Sequence, residues 1–97
     1  MELPRPLDPS TRLRLVPAAT RMLGSDLLVN SGGATAPVRQ LVGTGPELWF
    51  AFARGLTVAE AAAHISDCAS VPVHEIEANV LSFATSLIEL DLAVPMP

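Results

Sequence analysis

The sequence predicts a small α+β domain in which a three-stranded antiparallel sheet is followed by three helices. Three observations predict it. Short β-like runs alternate with turn residues between Arg12 and Leu41, apolar residues recur at helical spacing after Leu41, and two Thr-x-x-Glu sequences mark helix starts.

The first strand run is Thr20-Arg21-Met22-Leu23, closed by Gly24-Ser25-Asp26. The second is Leu27-Leu28-Val29-Asn30, closed by Ser31-Gly32-Gly33, and the third spans Ala34 to Leu41. Glycine beside a small polar residue supplies the backbone freedom a tight hairpin needs, so the runs read as a meander. Pro37 has no N–H to donate, which places the third run at a sheet edge or its entrance. Residues 1–11 carry Pro4, Pro6 and Pro9 with little apolar content and read as a flexible arm, leaving a domain over 12–94.

Thr44-Gly45-Pro46-Glu47 has capping-box spacing with proline in the first turn. Leu48, Trp49 and Phe52 follow at helical spacing, and Gly55 is a natural stop. Thr57-Val58-Ala59-Glu60 is a second capping box, opening a helix whose apolar side is Val58, Ala61, Ala62 and Ile65. That helix is expected to end near Ser66-Asp67. The third helix starts with Pro72 in its first turn and runs to about Leu90. Val73, Ile76, Val80, Phe83, Leu87 and Leu90 form one apolar stripe, and Leu81, Ala84 and Ile88 a second about 100° away. One stripe faces the core. The other needs its own cover, whether the sheet and first helix, a second copy of the chain, or a guest peptide.

Composition narrows the function. The chain has 97 residues, 49% apolar and 16% charged, enough for one compact core without a disulfide or metal. Charges and prolines break every apolar stretch before the ~20 residues a membrane span requires. The N-terminus lacks a basic segment leading into an apolar block, and the single Cys68 forms no internal disulfide, so a cytoplasmic location is expected. All six arginines lie in the first 54 residues, where four acids leave a balance of +2. From Gly55 onward there are six acids and no Lys or Arg, a balance of −6.

No catalytic constellation stands out, and the chain is read as a non-enzyme without cofactor. His64 and Cys68 stand four apart, as a helical metal pair would, but without the paired-ligand spacing of structural zinc sites. Glu75 and Glu77, two apart, point to different sides of a helix. No nucleophile-elbow sequence frames any serine, and Gly32-Gly33 is too short for a phosphate loop and precedes no helix. Trp49 reads as a core anchor. Strands with three helices suggest a winged helix-turn-helix, whose third helix would enter a DNA major groove. Here that helix carries Glu75 and Glu89 on its polar face and no cation, so a nucleic-acid partner is not expected.

The block from Leu48 to Ala61 (Leu-Trp-Phe-Ala-Phe-Ala-Arg-Gly-Leu-Thr-Val-Ala-Glu-Ala) resembles the helix, glycine, threonine-x-x-glutamate pattern of the PqqD-like family, the RiPP precursor peptide recognition elements. Ile76 to Leu87 resembles that family's third helix, and Leu15-Val16-Pro17-Ala18 and Leu27-Leu28-Val29-Asn30 fit its opening strands loosely. The resemblance covers about Leu15 to Leu92. Asn79 stands where the family often has aspartate, and Leu90-Asp91-Leu92 where it often has a glycine. The aromatic and asparagine common before the family's first helix are not evident around Val42-Gly43-Thr44.

The resemblance implies a non-catalytic, winged-helix peptide chaperone of natural-product biosynthesis. Such proteins hold the leader of a ribosomally made precursor peptide and present it to a modifying enzyme or leader protease. The leader adds as a strand to the third strand's edge and lays side chains beside the third helix. Transferred by position, the strand contacts are Val38, Arg39, Gln40 and Leu41, and the helix contacts Val80, Leu81, Ala84 and Ile88. Arg39 is either a partner for an acidic leader residue or a solvated strand arginine. The alternatives of other classes are a winged-helix DNA-binding transcription regulator and a homodimerising structural domain using the same edge and groove on itself.

Overall fold

The computed structural model describes residues 7–30, 37–69 and 71–96. It is α+β, with antiparallel sheets and three helices. In order the elements are β1 (Leu13–Leu15), β2 (Ala19–Leu23), β3 (Asp26–Asn30), β4 (Arg39–Leu41), α1 (Gly45–Ala53), α2 (Val58–Ala69), α3 (Val73–Glu89) and β5 (Ala93–Pro95).

The expected meander is β2-β3-β4, with β3 in the centre. Leu23 pairs with Asp26, so Gly24 and Ser25 alone make the first loop. Gly24 takes φ +63° while Ser25 stays at negative φ, the pattern of a type II′ hairpin turn. The second turn cluster, Ser31-Gly32-Gly33, lies outside the described residues, as does the start of the third run. β4 itself occupies only the last three residues of that run.

The order of elements differs from expectation in one respect. A second, two-stranded antiparallel sheet joins β1 to β5, with Leu13 opposite Pro95 and Leu15 opposite Ala93. Strands of three residues are too short to show alternation, and these two pair across some eighty positions of chain.

Residues 7–11 also depart from the expected arm. Pro9 and Thr11 carbonyls accept hydrogen bonds from the Ala59 and Val58 N–H groups at 2.9 and 3.0 Å, and Leu7 packs against the core. The free donors of the α2 N-terminus are thereby satisfied from outside the helix. Asp8 binds the Ser10 N–H and hydroxyl, which holds its carboxyl below the ordinary range.

The two Thr-x-x-Glu sequences behave differently. At α2 the box closes: Thr57 N–H donates to Glu60 Oε1 at 2.9 Å, and Glu60 N–H donates to Thr57 Oγ1 at 3.1 Å. These bonds lower the Glu60 pKa, the Thr57 N–H being the main cause. At α1 Thr44 makes no side-chain cap. Its N–H instead follows Gly43 (φ +60°) in a turn closed by Gly45 N–H on the Val42 carbonyl at 2.9 Å. That turn holds Thr44 at φ −84°, ψ −3°, whereas a capping side chain needs an extended backbone. Pro72, expected inside the first turn of α3, is its N-cap, and α2 runs on to Ala69.

α1 and α3 stop alike. Gly55 N–H bonds the Phe52 carbonyl and Leu56 N–H the Ala51 carbonyl, with Gly55 at φ +85°. Asp91 N–H bonds the Ile88 carbonyl and Leu92 N–H the Leu87 carbonyl, with Asp91 at φ +60°. Both are Schellman ends. Asp91 therefore occupies the left-handed position for which glycine is the usual residue.

The core lies between the β3 face, the helices and β1. Leu27 and Val29 meet Trp49 and Phe52 of α1, Val58 and Ile65 of α2, and Val80 and Leu87 of α3 in one cluster. Trp49 is 4% exposed and Phe52 1%, each side chain contributing ~1.5–3 kcal/mol by burial. Trp49 is the core anchor that the sequence suggests.

Candidate functional site

The site grows from the geometry of β4. In a two-residue hairpin the flanking residues, here Leu23 and Asp26, exchange hydrogen bonds, and bonded pairs then alternate along the strand. Asp26, Leu28 and Asn30 thus bond toward β2, and Leu27 and Val29 bond toward β4. Their partners are Leu41 and Arg39. It follows that Arg39 and Leu41 bond inward, and the N–H and C=O of Gln40 point away from the sheet. Among the described residues no strand lies on that side.

Beside this edge opens a cavity of about 520 Å³. Leu41 and the 42–44 turn form one side, Gly45 and Leu48 of α1 the floor, and the end of α2 and α3 the far wall. The α3 contribution is Ile76, Asn79, Val80 and Phe83, one face at spacings of three and four. Close approach of β4 to α1 depends on Gly45. A Cβ there would stand 3.1 Å from Leu41 Cβ and 3.5 Å from Phe83 Cε2, two of the groove's own walls.

Among the described residues no charged side chain lines the groove, and its polar groups come from Gln40, Thr44 and Asn79. The Gln40 side chain is engaged elsewhere, donating to Asp26 Oδ2 at 2.8 Å on the outer face of the sheet. Arg39 shares the helix-facing side of β4 with Leu41, because their partners Val29 and Leu27 are both buried. It is exposed, and among the described residues no carboxylate lies within ion-pair distance of it. The arrangement suits an extended guest that bonds to the edge of β4 and buries apolar side chains.

Of the expected peptide contacts, Gln40, Leu41 and Val80 line this groove, and Arg39, the residue before Gln40 on β4, does not. Val38, one residue before β4, is 56% exposed. Leu81, Ala84 and Ile88 do not line it. Ala84 is fully covered by the core, and Leu81 and Ile88 are half-buried against that core. The groove runs along the other flank of α3, because helix rotation turns Ala84 with Val80 and Leu87 inward and leaves Phe83 at the surface of the cleft. The sequence reading missed Ile76, Asn79 and Phe83 in this role. Phe83, the one aromatic on α3, was the signal that could have marked the flank.

His64, of the His64–Cys68 pair, is exposed, and the Cys68 side chain lies outside the described residues. No group of three or more His, Cys, Asp or Glu side chains is placed to hold a metal among the described residues. Among them, too, no helix is long and apolar enough to cross a membrane. A comparison of the chain with protein-family models, curated proteins and solved structures found no match.

Proposed function

We propose that this protein is a non-catalytic leader-peptide recognition element of the PqqD-like kind, with β2-β3-β4 as the wing of a winged-helix fold. It captures the leader of a ribosomally made precursor by strand addition to β4 and delivers it to a modifying enzyme or leader protease. One observation carries the reading: the outward N–H and C=O of Gln40 run beside an apolar groove lined by Leu41, Ile76, Val80 and Phe83. Main-chain bonds supply affinity in such complexes, and the pockets beside them supply specificity. The acid-rich second half of the chain, including Glu75 and Glu89 on α3, opposes a phosphate-backbone partner.

The test uses fluorescein-labelled synthetic copies of the N-terminal halves of the short reading frames flanking the gene, titrated with the full chain and read by anisotropy. At least one binds saturably. Gln40→Pro removes an N–H that the β3–β4 ladder does not use, and Phe83→Glu places a carboxylate in the groove. Each weakens binding about tenfold or more, ~1.4 kcal/mol, while thermal unfolding stays cooperative. Absence of any bound leader, or binding indifferent to both substitutions, overturns the reading. Concentration-dependent dimerisation abolished by the same substitutions would assign the edge to a second copy instead.

A further inference from the structure

A second cleft lies at the other end of α1, roughly 12 Å along the helix from the groove. It encloses about 470 Å³ between β1 and the last turn of α1. Leu15, the exposed Ala53 and the 45%-exposed Met96 supply its accessible apolar lining, while Leu13 and Phe52, which also border it, are buried. Arg14, from β1, and Arg54, the C-cap of α1, stand at its rim.

The charges here are unevenly compensated. Arg12, the third arginine of this region, is committed: its Nε donates to the Gly55 carbonyl at 3.1 Å, and its Nη2 pairs with Glu60 at 3.7 Å. Arg14 and Arg54 have no carboxylate within ion-pair distance among the described residues. A cation at a helix C-terminus is locally favourable, which accounts for Arg54. It does not account for Arg14, which sits on another element, opposite Val94, and lines the same cleft. Two arginines without an ion pair among the described residues thus line one partly apolar cleft, in a chain of net charge −4.

We infer that this cleft docks an acidic segment of a partner protein, one that inserts a bulky apolar side chain between Arg14 and Arg54 and sets carboxylates against them. The volume suits such a side chain, and guanidinium groups bind carboxylates in a fixed planar geometry. The site shares no lining residue with the groove beside β4. A guest strand and a docked partner can therefore occupy the molecule together, one at each end of α1, and the inference stands whether or not the β4 edge takes a leader.

The probe is the capped peptide acetyl-Glu-Phe-Glu-Glu-amide, titrated into the full ¹⁵N-labelled chain and followed by amide shifts. Two controls replace Phe with Ala or every Glu with Lys. The expected result is saturable shifts at Leu13–Leu15, Ala53–Gly55 and Met96 with the probe alone. Raised salt weakens them, and the exposed double substitution Arg14→Glu, Arg54→Glu weakens binding about fivefold to tenfold. Gln40→Pro leaves them unchanged. Equal response to all three peptides, no response, or shifts confined to β4 and Phe83 overturns the assignment. So does stronger binding of a single-stranded oligonucleotide at the same residues, which would make the cleft a phosphate site.

Discussion

Thr44-Gly45-Pro46-Glu47 and Thr57-Val58-Ala59-Glu60 carry the same capping signal, yet only the second closes. The difference lies one residue upstream. Gly43 at φ +60° builds a tight turn that sets Thr44 in a helical backbone conformation, while Thr57 forms an antiparallel bridge with Arg12. A tertiary contact completes one cap, and a local turn disables the other. The disabled end is also the one that opens on the groove, where Gly45 must pass close to Leu41 and Phe83. At α1 the chain is shaped for the cleft, and at α2 it is shaped for stability.

Removing the two threonines sharpens this contrast most. Thr57→Ala costs about 1–2 kcal/mol, read as a fall in Tm of roughly 4–8 °C per kcal/mol, because a buried hydroxyl that accepts from Glu60 N–H is lost. Thr44→Ala falls within about 0.5 kcal/mol of wild type. Equal losses at both sites would break the comparison. The helix ends give a second pair of smaller effects in opposite directions. Gly55→Ala forces a Cβ into a left-handed backbone and destabilises by about 1 kcal/mol, whereas Asp91→Gly relieves that strain and removes an anion from a helix C-terminus. Asp91→Gly therefore raises Tm by a few degrees, corresponding to roughly 0.5 kcal/mol, in a denaturation series run beside wild type.

The smallest effect is on pH dependence. The folded pKa of Glu60 lies below its ordinary value of 4.5, so its contribution to stability is complete above that value and is lost as pH falls through the folded pKa. The stability gap between wild type and Glu60→Gln narrows correspondingly in acid. A gap that stays constant down to pH 2 would show that the carboxylate form is not what closes the box.

Much of this fold was legible because its signals are local. Gly24-Ser25-Asp26 marks a hairpin turn, Thr57 to Glu60 a capped helix, Gly55 a stop, and Pro37 the approach to an edge strand. The pairing of β1 with β5 was not legible, since three residues carry no alternation and their partners are distant in sequence. Nor was the docking of Pro9 and Thr11 on α2, because proline-rich composition looks the same whether a segment is anchored or free. At the candidate site, Gln40, Leu41 and Val80 were reached through the family resemblance, by position. The flank of α3 was not legible: a helix with two apolar stripes does not say which one faces the core. Only the position of β4, fixed by the turn at Gly43, leaves Phe83 beside the opening and turns Ala84 away from it.

The union of β1 with β5 has a consequence for biogenesis. A strand made some eighty residues earlier must wait for residues 93–95 to leave the ribosome before its ladder can zip, and Met96 completes the second cleft only then. Such long-range closure is entropically late. The meander and the first two helices can assemble while synthesis continues, so the nascent protein gains its β4 edge before it gains the surface opposite.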